Sequence, residues 1–255
     1  MMRNRRILIT RQQEQAGEMI REIDRRGGTA VVVPMIATGP PRAWTESDAA
    51  IAHLGTYDVL LFASVNAVES FVGRTRMLGI PPASLARPRA VAVGEATAAA
   101  LRANGLPVHF VPEEFSGESL AESLGDSLSG KRVLIPRGNI ARETVPDALR
   151  RAGALVETVT VYVTSAPEGI DGGSFVRRVL AREFDVVTFA SPSAAANFGA
   201  LFREDELRAA AGSARIAVIG PSTADAVRAL GLGVDIIARE STACGLVQSI
   251  DEYYR

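Results

Sequence analysis

Apolar residues in this chain gather in short unbroken runs, and each run is followed by a stretch in which they recur at helical spacing. Residues 6–10 carry Ile7-Leu8-Ile9, and residues 14–26 then place Ala16, Met19, Ile20 and Ile23 on one helix face before Gly27-Gly28 stops the helix. A valine-rich strand follows over 30–36. The pattern continues with a helix over 47–54, a strand over 58–63, a helix beginning at 66–71, a strand over 90–93 and a helix over 97–103. A strand over 108–111 and a helix over 119–128 complete this half. Runs that do not alternate predict parallel strands covered on both faces, and the β-α-β-α order predicts a doubly wound sheet.

The second half repeats the first. Ile7-Leu8-Ile9-Thr10-Arg11 returns as Val133-Leu134-Ile135-Pro136-Arg137, 126 positions on. Tyr57-Asp58-Val59 through Ser64 returns as Phe184-Asp185-Val186 through Ser191, and Val93-Gly94-Glu95-Ala96-Thr97 as Ile219-Gly220-Pro221-Ser222-Thr223. A period this long suits a duplicated domain rather than a solenoid unit. Two similar flavodoxin-like domains are predicted, and a cleft between such domains is a favoured place for a ligand. Periodicity leaves two pairings open: either each half is a domain, or the middle of the chain forms one domain and its two ends the other. The second needs crossings near 37–41 and 162–167, where Pro with Thr or Ser suits extended linkers.

Composition narrows the function classes. The 255 residues carry a net charge of -1, so neither a nucleic-acid groove nor a membrane-surface patch is expected. Hydrophobic residues make up 47%, enough for real cores. No apolar run suits a signal peptide or a membrane span, and the single cysteine, Cys244, suits a reducing cytoplasm. Only two histidines occur, with no metal-ligand cluster. Neither a G-x-G-x-x-G nor a P-loop follows a strand, so dinucleotide and P-loop readings lose their usual support. His109 is expected to face the surface from its strand, and His53 to be solvated at a helix end.

Ligands of open parallel sheets bind beyond the carboxyl ends of strands. The candidate residues are therefore Arg11, Ser64, Asn66, Gly94, Thr97, Arg137, Gly138, Ser191, Ser193, Gly220, Ser222 and Thr223. Backbone N–H groups freed at such turns hold carboxylates or phosphates, although Ser and Thr also cap helices there without any ligand. On the ligand reading, Thr223→Asp should repel an anionic substrate while the fold survives. Tyr162 stands where the other copy has Ile36, a phenol replacing an aliphatic at a strand end.

In order and spacing, Leu8-Ile9-Thr10-Arg11, Phe62-Ala63-Ser64-Val65-Asn66-Ala67-Val68, Ala92-Val93-Gly94-Glu95-Ala96-Thr97-Ala98, Pro136-Arg137-Gly138-Asn139, Val161-Tyr162, Phe189-Ala190-Ser191-Pro192-Ser193 and Ala217-Val218-Ile219-Gly220 resemble the uroporphyrinogen-III synthase family. Where that family usually shows Thr-Ser before the helix, this chain has Ala63-Ser64 and Ala190-Ser191. The resemblance implies a cofactor-independent hydro-lyase of heme biosynthesis. It would dehydrate and cyclise the linear tetrapyrrole hydroxymethylbilane with inversion of ring D. The resemblance also implies the interleaved pairing, with residues 1–38 and 168–255 in one domain and 40–164 in the other. It implies a substrate held through main-chain amides, and Tyr162 as the residue assisting loss of the hydroxyl. A cytoplasmic monomer is expected, with no nucleic-acid or membrane partner. The competing readings are a two-lobed anion-binding protein without chemistry and a nucleotide-sugar transferase; the turns supply no strong nucleotide contact for the latter.

Overall fold

The computed structural model describes residues 2–112 and 128–255. The helix expected over 119–128 lies almost wholly outside them. The chain divides into two units, Met1–Ala37 with Ser165–Arg255, and Thr38–Thr164.

The first unit contains β1 (Arg6–Ile9), β2 (Thr29–Val32), β8 (Val186–Phe189), β9 (Arg215–Val218) and β10 (Ile236–Ile237) in the order β10-β9-β8-β1-β2, all parallel. Read from β2, this is the 2-1-3-4-5 order of flavodoxin-like sheets, with its switch point between β1 and β8. The unbroken apolar runs are explained by two cores. Leu8 packs with Phe175, Phe189 and Phe198 on one face, while Ile7 and Ile9 pack with Met19, Ile23, Leu246 and Ile250 on the other. The helices Gly172–Leu180, Pro192–Gly199 and Pro221–Ala229 cover the first face. Gly17–Arg25 and Ala243–Tyr253 cover the second.

The second unit repeats this plan with β4 (Val59–Phe62), β5 (Arg89–Ala92), β6 (Arg132–Gly138) and β7 (Leu155–Ser165), and it adds β3 (Ala37–Gly39) beside β7. Leu60, Phe62 and Leu134 enter one core, and Val59, Leu61 and Val133 the other. The strand pairing is thus interleaved: β1 pairs with β8, and β6 with β4.

Several repeated polar residues hold the sheets together. Asp58 accepts the first amide of β6 from Arg132 at 2.9 Å, and its counterpart Asp185 accepts that of β1 from Arg6 at 2.8 Å. His109 is exposed, as expected, but its Nδ1 accepts the Ala90 N–H at 3.1 Å, the task Asp235 Oδ2 performs for Ile216 at 2.8 Å. His53 is exposed and caps its helix through Nδ1 against the Ala49 carbonyl at 2.8 Å.

Three expectations are corrected. The strand placed at 108–111 shrinks to one bridge between Val91 and Phe110, because Pro107 and Pro112 remove donors on either side. The strand placed at 30–36 ends at Val32, and residues 37–39 of the supposed linker form β3. Tyr162 does not end its strand, since β7 runs on to Ser165.

Candidate functional site

The turns beyond the strands fall into two kinds, repeated in each unit. After β4 and β8, Ser64 and Ser191 cap the helices Val65–Met77 and Pro192–Gly199, accepting from Ala67 N and Ala194 N at 3.2 Å each. Here the capping reading holds for the hydroxyl oxygens. After β5 and β9 the caps are Gly94 and Gly220, which have no side chain to satisfy the helix amides. Gly94 sits at φ 106°, a conformation that favours glycine. The first-turn N–H groups of Glu95–Ala103 and Pro221–Ala229 are left to solvent or a ligand, less the one that Pro221 lacks.

Thr97 and Thr223 lie in these first turns but face inward, at 4% and 1% exposure. Only their amides remain for a ligand, and Thr223→Asp would bury a charge and damage the fold. Ser222 is exposed, whereas Asn66 and Ser193 are half-buried beside the serine caps.

At the switch points stand two repeat-related arginines. Arg11 follows β1, is half-buried, and makes one long contact, Nη2 to Gln15 Oε1 at 3.4 Å. Burial lowers its pKa, and the nearby negative charge of Glu18 only partly offsets this. Arg137 near the end of β6 pairs through Nη2 with Glu143 Oε1 at 2.5 Å, while its Nη1 is buried with no protein partner. That ion pair holds the Glu143 carboxyl below its usual range. Guanidinium groups with unused, desolvated donors suit carboxylates.

Beside Arg137, the ring of Tyr162 lies over Gly138, and its hydroxyl is 3.4 Å from Ser64 Oγ. A cavity of about 320 Å³ opens against Tyr162, lined by Trp44, Asn66, Gly73, Arg74 and Met77 among others. The structure therefore gathers Ser64, Asn66, Arg137, Gly138 and Tyr162 at the β4/β6 switch point, and Arg11, Ser191 and Ser193 at the β1/β8 switch point. Gly94 and Thr97, and Gly220 with Ser222 and Thr223, form the neighbouring turns. Sequence reasoning missed Glu143, whose spacing from Arg137 on an irregular turn gave no signal. It also missed the pairing of Trp44 with Arg74, whose guanidinium lies 4.8 Å from the ring centroid. Among the described residues, no cluster of His, Cys, Asp or Glu could hold a metal, and no helix is long and apolar enough to cross a membrane.

Residues 17–248 match the family model described as uroporphyrinogen-III synthase HemD. The chain is 31% identical over 254 residues to the uroporphyrinogen-III synthase of Synechococcus elongatus, covering 98% of this chain and 95% of that one.

The chain belongs to the uroporphyrinogen-III synthase family.

A second relative, from Chlorobaculum parvum, is 29% identical, covering 91% of this chain and 92% of its own. Two solved structures share the fold. A mutant uroporphyrinogen III synthase of Thermus thermophilus superposes with a TM-score of 0.67 at 19% identity, covering 98% of both chains. A uroporphyrinogen-III synthetase of Helicobacter pylori gives 0.65 at 16% identity, covering 99% of this chain and 100% of that one.

Proposed function

We propose that this protein converts hydroxymethylbilane to uroporphyrinogen III in the cytoplasm, as a monomer and without a cofactor. The observation that carries the site assignment is the recurrence, in both units, of an underused arginine at the switch point and a glycine-capped helix N-terminus two strands away on the same sheet. This pairing suits a substrate rich in carboxylates, and it explains how a chain of net charge -1 attracts one. Helix amides and two guanidinium groups supply local positive potential without a basic surface.

The chemistry asks little of any one side chain. The substrate's hydroxyl is protonated and leaves as water while the pyrrole N–H beside it gives up its proton, which leaves a conjugated azafulvene. The substituted carbon of ring D then attacks it, and the resulting spiro intermediate fragments and recloses with that ring inverted. Holding a flexible chain so that this carbon, rather than the unsubstituted one, reaches the azafulvene is catalysis by orientation. Tyr162 donates a hydrogen bond or proton to the departing hydroxyl.

The test is to incubate purified protein with hydroxymethylbilane and separate the product isomers. The inverted isomer should dominate. Formation of the uninverted isomer alone, as happens without enzyme, would mean that the protein binds an anionic ligand and performs no chemistry.

A further inference from the structure

Tyr162 has no close partner to aim it. Its hydroxyl lies 3.4 Å from Ser64 Oγ, beyond the ordinary O–H···O range, and that Oγ already accepts the Ala67 N–H. The phenol must be held in place from behind, and two features do this.

The first is a bulge. Arg137 pairs with Thr160 but Gly138 pairs with Tyr162, so Val161 is the extra residue in β7. Val161 goes fully into the core and the phenol is turned over the backbone of Gly138. A Cβ at position 138 would lie 2.6 Å from Cζ of Tyr162, 2.7 Å from Cε2 and 2.9 Å from its hydroxyl oxygen. Any side chain there displaces the ring, and glycine is what seats it.

The second is a clamp. Beyond Gly138 the ladder is continued by Asn139. Its backbone N–H donates to the Tyr162 carbonyl at 3.2 Å. Its Oδ1 accepts from Thr164 N at 2.8 Å, and its Nδ2 donates to Thr164 O at 3.3 Å. One exposed side chain thus fixes both backbone polar groups of Thr164, two residues past the phenol.

We propose that Gly138 and Asn139 are positioning residues for Tyr162: glycine leaves room for the ring, and the asparagine amide stands in for a strand partner that holds the backbone carrying it. The proposal rests on the reading of Tyr162 as the residue assisting hydroxyl loss.

The test is a double-mutant cycle with steady-state kinetics and thermal melts on Asn139→Ala, Gly138→Ala, Tyr162→Phe and their combinations. Asn139→Ala should lower kcat roughly tenfold with KM little changed, because small misplacements of an oriented group cost up to about a hundredfold. Asn139→Asp, which keeps the acceptor for Thr164 N, should regain most of that loss. In the Tyr162→Phe background, Asn139→Ala should cost less than about twofold more, since the group being positioned is gone. Equal losses in both backgrounds, or an unchanged kcat in a folded Asn139→Ala protein, would overturn the proposal. If Tyr162→Phe itself leaves the rate unchanged, the reading of Tyr162 fails. The positioning claim is then decided by a crystal structure of Asn139→Ala: a displaced phenol supports it and an unmoved one overturns it.

Discussion

A carboxylate placed at Ser222 should make the protein more stable and a poorer enzyme. Ser222 is an exposed residue in the first turn of Pro221–Ala229, whose cap Gly220 contributes no side chain and whose Pro221 contributes no N–H. The amides of Ser222 and Thr223 are then the positive end of this helix. In the free protein, Ser222→Asp supplies the missing negative charge, worth about 0.3–1 kcal/mol. That corresponds to a rise of roughly 1–4 °C in melting temperature for a unit of this size. With substrate present, the same carboxylate faces a substrate carboxylate seeking the same amides. Two unit charges about 5 Å apart repel by about 0.8 kcal/mol in water and about 3 kcal/mol near a protein surface. KM should therefore rise about four- to two-hundredfold, with kcat little changed, because binding is lost equally in ground and transition states. Salt at about 1 M should recover much of the loss. Ser222→Asn, matched in size but neutral, should leave KM near its original value. Kinetics and melts on the two variants provide the assay. A higher melting temperature with an unchanged KM in Ser222→Asp would show that this turn binds no part of the substrate.

Tyr162→Phe should slow turnover about ten- to a thousandfold, the range of one general acid or slightly below it, while the inverted isomer remains the main product; product separation after single turnovers checks both. A fragment of residues 38–164 should melt cooperatively and one of residues 1–126 should not, because the latter holds β1 without β8 and β4 without β6. Asp251 is buried, which pushes its pKa up, but hydrogen bonds from Arg255 at 2.9 Å and the Met2 amide at 3.0 Å outweigh this and set it below its ordinary 3.8. Its contribution to stability is therefore present above about pH 4 and lost as pH falls through the lowered value; urea melts should show Asp251→Asn flattening that acid limb.

Most strands, and their order along the chain though not their pairing, were readable because burial on both faces writes itself into composition: Ile7, Leu8 and Ile9 are all apolar since successive residues enter opposite cores. The duplication was readable for the same reason, and Asp58 and Asp185 recur because each caps a neighbouring strand. The candidate turns were legible as positions but not as roles. Ser64 and Gly94 look alike as small residues after strands, yet one satisfies its helix and the other leaves it open. Thr97 and Thr223 read as ligand-site residues because helix phase at a first turn is not visible in local sequence, and the side chains of both point inward. The bulge at Val161 was invisible as well. It depends on register between strands whose facing residues, Arg137 and Thr160, lie more than twenty positions apart.

The interleaved pairing of β1 with β8 also constrains the order in which the molecule can assemble on the ribosome. Thr188 of β8, which hydrogen-bonds to the Leu8 carbonyl of β1, is 180 positions further along the chain. At about 5–20 residues per second, translation leaves β1 waiting on the order of ten to forty seconds for that neighbour. During that time Ile7, Leu8 and Ile9 have neither their second strand nor most of the helices that cover them. The unit spanning Thr38–Thr164 is contiguous and is synthesised within the interval, so it can fold before the unit that holds β1. Until β8 arrives, the segment around β1 is an apolar, half-paired sheet edge, which is the kind of segment that chaperones bind and that aggregates when they do not.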